Sequence, residues 1–163
     1  MQTQREKAWR IDSPQEGDWT AIAQLEREAG LSIWGEQTYR REAARALLLV
    51  ARATDGALCG FIIGYVVGAT LEIGNFAVAE RWRRRGIGKD LFAALGARAR
   101  AQGARAVTLE VRASNLAAQR FYARCGLRVV GRRRAYYRDP VEDALVMSGQ
   151  LDEEKTVNPD RHT

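Results

Sequence analysis

Residues 81–92 read RWRRRGIGKDLF, and this stretch sets the expectation for the whole chain. An apolar run with strand character ends at residue 79, and a helical pattern covers residues 89–102. Between them lies a strand-to-helix loop with two glycines and several arginines. Glycines let backbone N–H groups turn toward a ligand, and a helix N-terminus adds unpaired donors and partial positive charge. These features predict an anion site, best suited to phosphate.

Two common phosphate motifs do not fit this loop. The P-loop requires glycine where Arg83 stands and a hydroxyl residue where Asp90 stands. The dinucleotide-binding fingerprint requires a third glycine at the position of Leu91. What remains is the pattern R-x-x-G-x-G beginning at Arg83, and taken alone it fits a charged surface as well as a binding site.

Length and composition indicate one globular domain, residues 1–151, followed by a polar tail, residues 152–163, whose composition is typical of disorder. The chain is 46% apolar and 28% charged, as soluble globular proteins are. Its net charge is +6, and only three of its 26 basic residues are lysines. Attraction to a polyphosphate cofactor or to RNA explains this bias, and so does the base composition of a genome.

Cysteine, histidine and hydropathy patterns exclude several classes of protein. Cys59 and Cys125 are far apart and fit neither a disulfide framework nor a metal cluster. The single histidine, His162, lies in the polar tail, so no histidine-based nucleophile pair or metal site is expected. The N-terminus has no apolar signal segment, and the longest apolar run, residues 57–69, is shorter than the ~20 residues of a membrane span. We therefore expect a cytoplasmic protein without a metal ion.

The order of predicted elements indicates an α/β domain. Turn residues at 54–56 and 68 join three strands into an antiparallel meander, and a strand-helix-strand order over residues 70–111 implies a parallel pair with a right-handed crossover. Asp18 is expected to cap the first helix, and Ser114 or Asn115 the last. Strands are expected at residues 8–11, 46–53, 57–67, 70–79, 106–111, 127–134 and 144–150, and helices at residues 18–29, 36–45, 89–102 and 116–125.

The strand before the loop changes its phase. Leu71 and Ile73 share one face under a period of two, whereas Phe76 and Val78 fall on the other parity. A β-bulge at residues 74–75 produces such a shift, and glycine is a favoured bulge residue. A central strand buried on both faces is the alternative explanation.

Several segments together resemble the GCN5-related N-acetyltransferases (the GNAT superfamily) over residues 7–151, and among them most of all the ribosomal-protein-alanine acetyltransferases (RimI-like enzymes). The most specific segment is E-V-R-x-S-N, which starts at Glu110 and is followed by Tyr122 and Gly126 at characteristic distances. The other segments are NFAV at 75–78, the R-x-x-G-x-G loop, FYARCGL at 121–127, the tyrosine pair at 136–137 and EDA at 142–144.

The resemblance implies the GNAT fold, a single mixed and mostly antiparallel sheet with a central parallel strand pair and flanking helices. It also implies acetyl-CoA as cosubstrate, without a metal. The backbones of Phe76, Ala77 and Val78 are expected to pair with the pantetheine arm, and Asn115 to contact that arm, which fills a gap where the next strand splays away. The expected pyrophosphate loop consists of Arg83, Arg84, Arg85, Gly86, Ile87, Gly88 and Lys89.

Acetyl transfer to an amine requires a base, because an α-amino group has a pKa of roughly 8 and is mostly protonated in the cytoplasm. Glu110 is the candidate base, and the alternative is a solvated side chain on an open strand face. Tyr122 is the candidate acid for the leaving thiolate, and the alternative is a core aromatic. The backbone N–H of Val78 is the candidate donor to the oxyanion.

Trp34, Tyr136 and Tyr137 are the residues expected at the acceptor. The tyrosine pair matches one that lines a peptide groove in related enzymes, and Trp34 lies in the inter-helix loop of the opposite wall. Simple packing explains all three equally well. Ile33 and Arg138 stand where RimI-like enzymes have proline, so the cofactor site matches the family more closely than the acceptor site does.

The hypothesis is an N-acetyltransferase that moves an acetyl group from acetyl-CoA to the N-terminal α-amine of a protein, in particular a small-subunit ribosomal protein. One alternative is acetylation of a small-molecule amine. The other is a non-catalytic RNA- or ribosome-binding module that uses the arginines of 81–85 and 132–134. No membrane partner is expected and no direct nucleic-acid contact is required. The sequence leaves the oligomeric state open.

Overall fold

The computed structural model describes residues 7–151 as a seven-stranded sheet with the strand order β1-β2-β3-β4-β5-β7-β6. All neighbouring strands are antiparallel except β4 and β5, which confirms the predicted mixed sheet with one parallel pair. The elements are β1 Trp9–Asp12, α1 Asp18–Glu28, α2 Glu36–Glu42, β2 Leu47–Ala53, β3 Leu58–Val67, β4 Thr70–Val78, a 3-10 turn Glu80–Trp82, α3 Ile87–Ala101, β5 Ala106–Arg112, α4 Leu116–Arg124, β6 Arg128–Arg138 and β7 Val141–Gln150.

A hydrophobic core lies on each face of the sheet. Helices α3 and α4 cover one face, where α3 contributes the buried residues Ile87, Leu91, Leu95 and Ala99. Helices α1 and α2 cover the other face, where Ile22 and Tyr39 pack with Phe61 of β3. Two separate cores of this kind fix the central strands from both sides.

The predicted bulge in β4 is present. Gly64 of β3 pairs with Ile73 and Ile62 pairs with Phe76, so residues 74–75 oppose the single residue Ile63. The extra residue inverts the alternation, and Phe76 therefore packs against the same core as Ile73 does. The strand thus changes its phase where the sequence indicates it.

The parallel pairing of β4 with β5 is short. It joins only residues 70–72 to residues 106–108. Beyond these residues the two strands separate, although β4 continues to Val78 and β5 to Arg112. We call the space between the two diverging segments the strand gap, and the expected splaying of these strands is confirmed.

The predicted N-cap of α1 is wrong. Gly17 occupies the cap position, and Asp18 is the first helical residue. The Asp18 carboxylate accepts the backbone N–H of Gln15 at 2.6 Å and two N–H groups of Arg52 at 2.9 and 2.7 Å. Both side chains are buried. The Asp18 carboxylate therefore forms a buried ion pair with Arg52 and does not serve as the N-cap of α1.

The final hairpin is longer than predicted. The predicted connection at residues 135–143 is replaced by a short turn, because β6 extends to Arg138 and β7 begins at Val141. The Asp143 carboxylate accepts the N–H of Ala135 at 2.9 Å, and this bond supports a register shift that carries the strand past Ala135. Tyr136 and Tyr137 therefore belong to a strand.

Some predictions concern residues that the structure does not describe. The predicted tail at 152–163, with His162, lies outside the described residues and stays a prediction, as does the domain boundary at residue 151. Between residues 7 and 151, no helix combines the length and the apolar character needed to cross a membrane.

The buried Asp18–Arg52 pair gives a testable dependence of stability on pH. Burial opposes ionisation, but the bonds from Arg52 and Gln15 outweigh it and lower the pKa of Asp18. A lowered pKa stabilises the fold above about pH 4, and this contribution is lost as the pH falls through the folded-state value. We expect Asp18→Asn to lose about 3 kcal/mol at pH 7, because the buried Arg52 loses its hydrogen-bonded charge partner and keeps only the more distant Asp12 at 3.7 Å.

Urea unfolding at pH 7 and pH 3 measures this difference. The difference in unfolding free energy between wild type and Asp18→Asn should narrow at pH 3, because the carboxyl group of the unfolded wild-type chain takes up a proton below its ordinary pKa of about 3.9. Glu72→Gln on an exposed position of β4 is the control and should change stability by less than about 0.5 kcal/mol. A stability difference between wild type and Asp18→Asn that is the same at both pH values would contradict the lowered pKa of Asp18.

Candidate functional site

The loop of residues 83–89, called here the phosphate loop, has an unusual backbone. Arg84 has φ 61° and Gly86 has φ 99°, so both lie in the left-handed region. Such a conformation is strained for arginine and turns successive N–H groups toward one side. Within residues 7–151, none of the backbone N–H groups of residues 84–89 donates to a protein group; the next one, of Asp90, donates to the Gly86 carbonyl oxygen. The donor set fits an anionic group.

Two arginine side chains of the phosphate loop have contacts within the protein. Arg83 donates its Nε–H to the carbonyl oxygen of Val78 at 3.1 Å, which ties the loop to the end of β4. The Arg85 guanidinium lies 4.8 Å from the ring centre of Trp82. These contacts tie two cations of the loop to the segment between β4 and α3.

An aromatic cluster lies under the phosphate loop. The ring of Phe76 in β4 lies 5.7 Å from that of Phe121 and 6.3 Å from that of Tyr122, and Phe92 of α3 closes the group. A Cβ at Gly88 would lie 3.4 Å from the Phe76 ring. The first turn of α3 thus sits directly on these rings, which fixes the loop relative to β4.

Backbone groups of β4 point into the strand gap in alternation. Ala79 donates its N–H to the Cys59 carbonyl oxygen on β3 at 2.7 Å, so the groups of Val78 and Phe76 point the opposite way. The Ala77 carbonyl oxygen faces β3, where a Cβ on Gly60 would approach it to 2.8 Å. Of the three residues expected to pair with the pantetheine arm, Phe76 and Val78 therefore direct their backbone groups into the strand gap, whereas Ala77 directs its own toward β3.

Glu110 lies on β5 on the face opposite to the buried Leu109 and Val111. Its side chain is 30% exposed, and Arg133 of β6 places its Nε 3.3 Å from the carboxylate. Sequence reasoning missed this partner, because no local pattern shows which strand β6 pairs with. The pairing of β6 with β7 brings Arg133 across to Glu110.

Tyr122 of α4 is 9% exposed. Burial raises the pKa of this phenol, and Cys125 and Tyr137 add smaller contributions. The hydroxyl group therefore keeps its proton at neutral pH and is a donor. Its ring packs beside Phe76, whose backbone faces the strand gap.

The tyrosine pair is held by Arg112. The rings of Tyr136 and Tyr137 are perpendicular with centres 5.1 Å apart, and the Arg112 guanidinium lies 4.2 Å from the Tyr137 ring centre. Arg112 also donates to the carbonyl oxygens of Asp139 and Pro140, each at 3.2 Å. Burial, followed by the neighbouring Tyr136, raises the pKa of Tyr137 to about 12. Tyr136 is half-exposed and available to a ligand.

Glu142 and Asp143 have partners inside the hairpin. Glu142 accepts the N–H of Ser114 at 2.6 Å and pairs with Arg112 at 3.3 Å. Asp143 pairs with Arg132 at 2.7 Å. Bonds with Ser114 and Arg112 lower the pKa of Glu142. These carboxylates thus stabilise the hairpin and the turn before α4.

The helix cap predicted at residue 114 or 115 belongs to Asn115. Its Oδ1 accepts the N–H of Ala118 at 3.1 Å, and this bond fixes the turn between β5 and α4. Glu110 and Tyr122 lie on either side of this turn, so it sets their relative position.

Trp34 lies in the loop between α1 and α2 and is half-buried. Its ring stacks on Tyr39 with centres 5.4 Å apart. A Cβ on Gly74 would lie 2.9 Å from the indole, so the ring touches the backbone of the bulge. Trp34 therefore packs on the sheet face opposite to the aromatic cluster, next to the start of the strand gap.

The combined site has anion-binding N–H groups, an open strand edge, a carboxylate and a protonated phenol. Among residues 7–151, no three His, Cys, Asp or Glu side chains are grouped so as to hold a metal ion. This arrangement suits transfer of a group from a long phosphate-bearing donor that lies in the strand gap.

Both the sequence and the fold have known relatives. Residues 19–127 match the acetyltransferase (GNAT) family. The ribosomal protein bS18-alanine N-acetyltransferase of Escherichia coli K12 is 31% identical over 140 residues, which are 85% of this chain and 95% of that protein. The crystal structure of the ribosomal-protein-S18-alanine N-acetyltransferase from Escherichia coli has a TM-score of 0.78 at 29% identity and covers 91% of this chain and 97% of its own.

A second solved structure, Ard1 from Thermoplasma volcanium, has a TM-score of 0.80 at 27% identity and covers 90% of this chain and all of its own. The family match spans more than half of the chain, and both solved structures resemble its fold over about nine-tenths of its length. The chain belongs to the acetyltransferase (GNAT) family and is an acyltransferase.

Proposed function

We propose that this enzyme transfers an acetyl group from acetyl-CoA to the N-terminal α-amine of a protein, in particular a small-subunit ribosomal protein. The observation that carries the proposal is the phosphate loop, whose free N–H groups lie beside the strand gap. The names of the relatives that are 31% identical support the choice of acceptor. The predicted cytoplasmic location fits such an acceptor and stays a prediction.

The phosphate loop would hold the pyrophosphate of acetyl-CoA through the N–H groups of residues 84–89, with the α3 dipole adding to the attraction. Phe76 and Val78 would pair with the pantetheine arm, because their backbone groups face the strand gap. Asn115 would contact the arm from the α4 side. Bound acetyl-CoA supplies an activated acetyl thioester, and the protein supplies its position.

Glu110 would take the proton of the acceptor amine, directly or through a water molecule. Its present partner Arg133 is 57% exposed, and an exposed ion pair contributes only about 0–1 kcal/mol. An acceptor ammonium is therefore able to displace the guanidinium. The Val78 N–H would donate to the oxygen that becomes negatively charged during transfer.

Tyr122 would give its proton to the thiolate that leaves. Its burial keeps the phenol protonated, and the aromatic cluster holds its ring beside Phe76. Trp34 and the pair Tyr136 and Tyr137 would form the walls of the acceptor site, with the half-exposed Tyr136 in contact with the peptide.

An acceptor screen tests the proposed substrate. We expect acetyl-CoA turnover with peptides that begin with alanine or serine, and mass spectrometry should place the acetyl group on the α-amine. Turnover with polyamines or amino acids and none with peptides would favour the small-amine alternative. RNA affinity that falls with salt and is unaffected by acetyl-CoA, without any turnover, would favour the binding module.

Gly86→Asp tests the phosphate loop. The variant adds a negative charge among the N–H donors and a side chain at φ 99°, so we expect acetyl-CoA affinity to fall at least about tenfold. Isothermal titration calorimetry measures the affinity. Gly103→Asp is the control, because φ there is +94° and open space surrounds the position at the far end of α3. Equal affinities in both variants would reject the loop assignment.

Tyr122→Phe tests the proposed acid. Removal of one hydroxyl group should lower kcat about 100-fold, within the range for a general acid, and leave the acetyl-CoA Kd close to wild type. Tyr65→Phe provides the same chemical change away from the site, where the phenol bonds Glu42, and should leave kcat unchanged. An unchanged kcat in Tyr122→Phe would remove this residue from the mechanism.

A further inference from the structure

Glu26 is a fully buried charged residue that the proposed chemistry does not use. It lies on α1 and has 0% exposure. Trp19, Ile22 and Ala23 precede it at helical spacing, so it falls on the stripe that faces the sheet. A carboxylate at such a position is costly unless its oxygens are bonded. The hydrogen bonds of Glu26 therefore indicate its role.

Four donors surround the Glu26 carboxylate. Oε1 accepts the backbone N–H groups of Trp34 at 2.9 Å and Gly35 at 3.1 Å. Oε2 accepts the hydroxyl of Tyr39 and an amide N–H of Asn75, the latter at 3.0 Å. Only an ionised carboxylate offers acceptor positions on both oxygens without a hydrogen of its own. The four donors are thus matched to a group that only accepts hydrogen bonds.

These bonds join the loop between α1 and α2, residues 31–35 and called here the acceptor loop, to the bulge of β4. Asn75 also donates to the Ser32 carbonyl oxygen at 3.0 Å. The ring of Trp34 covers Gly74, the other bulge residue. Both residues of the bulge therefore contact the acceptor loop, and Phe76, whose backbone faces the strand gap, follows immediately.

We propose that Glu26 is a positioning residue of the acceptor site: it holds the acceptor loop, with Trp34, against the bulge where the strand gap opens. This inference rests on the proposed function, since it assigns a role toward the acceptor. Glu26 touches neither substrate. It acts through the backbone of Trp34 and Gly35 on one side and through Asn75 on the other.

A purely structural role for Glu26 predicts a different result. An apolar side chain of similar volume fills a core as well as a carboxylate does, but it would leave the four donors of this site without an acceptor, two of them backbone N–H groups of the acceptor loop. The carboxylate instead fixes one loop in one register, because its two oxygens must meet four donors at once. Its removal should free the acceptor loop before it unfolds the protein.

Glu26→Gln tests the proposal with a nearly isosteric change. The new amide nitrogen presents hydrogens to donors, so about half of the four bonds are lost. We expect the peptide KM to rise about tenfold or more, while the acetyl-CoA Kd stays within about twofold of wild type. Glu28→Gln is the matched control on the same helix, where the exposed side chain bonds only Gln24 among the described residues.

Hydrogen exchange followed by mass spectrometry gives a readout that needs no acceptor. In Glu26→Gln the amides of Trp34 and Gly35 should exchange about tenfold faster, while those inside α3 keep their wild-type rates. Faster exchange through the whole chain, or unchanged exchange together with an unchanged KM, would overturn the proposal. Should Glu26→Gln not fold, Tyr39→Phe removes one donor and should shift both readouts in the same direction by a smaller amount.

Failure of the proposed function has a different signature. If the wild-type protein acetylates no peptide, the acceptor assignment falls, and with it the role of Glu26 toward the acceptor. If the wild-type protein acetylates peptides and Glu26→Gln retains the wild-type KM, only the role of Glu26 falls.

Discussion

The site depends on one backbone constraint, the early end of pairing between β4 and β5. Three residue pairs hold the two strands together, and the bulge at residues 74–75 then turns β4 away from its neighbour. An open pair of strand edges inside a sheet leaves backbone N–H and C=O groups that must be satisfied by side chains, water or a ligand. The fold therefore leaves a space between these edges that suits an extended polar chain.

Two buried carboxylates fasten α1 to the sheet, and they do so in different ways. Asp18 meets a single cation, Arg52 of β2, in a two-bond pair. Glu26 meets four neutral donors and no cation in the described part of the chain. The first arrangement anchors the start of the helix, and the second connects its end to the acceptor loop and the bulge.

The sequence predicted the parts of the site that depend on local patterns. The phase change around residues 74–75 indicated the bulge, and glycine spacing indicated the phosphate loop. Contacts between distant strands were not predictable in this way. Arg133 reaches Glu110 only because β6 pairs with β7 and β7 pairs with β5, and no local pattern records that register. Glu26 is recognisable in the sequence as a charged residue on the apolar stripe of a helix, a feature that helical periodicity alone does not explain.

The contact between Arg133 and Glu110 has a consequence for the end of the reaction cycle. An amine arrives at the carboxylate as a cation, but an acetylated amine leaves as a neutral amide, which attracts a carboxylate far less. Once the proposed proton transfer is complete and that proton has passed to solvent, the guanidinium would again become the charged partner of Glu110. Under the proposed function, the ion pair would therefore re-form after the product leaves and would disfavour its rebinding. The contact that the acceptor amine displaces on binding would thus promote release of the acetylated product.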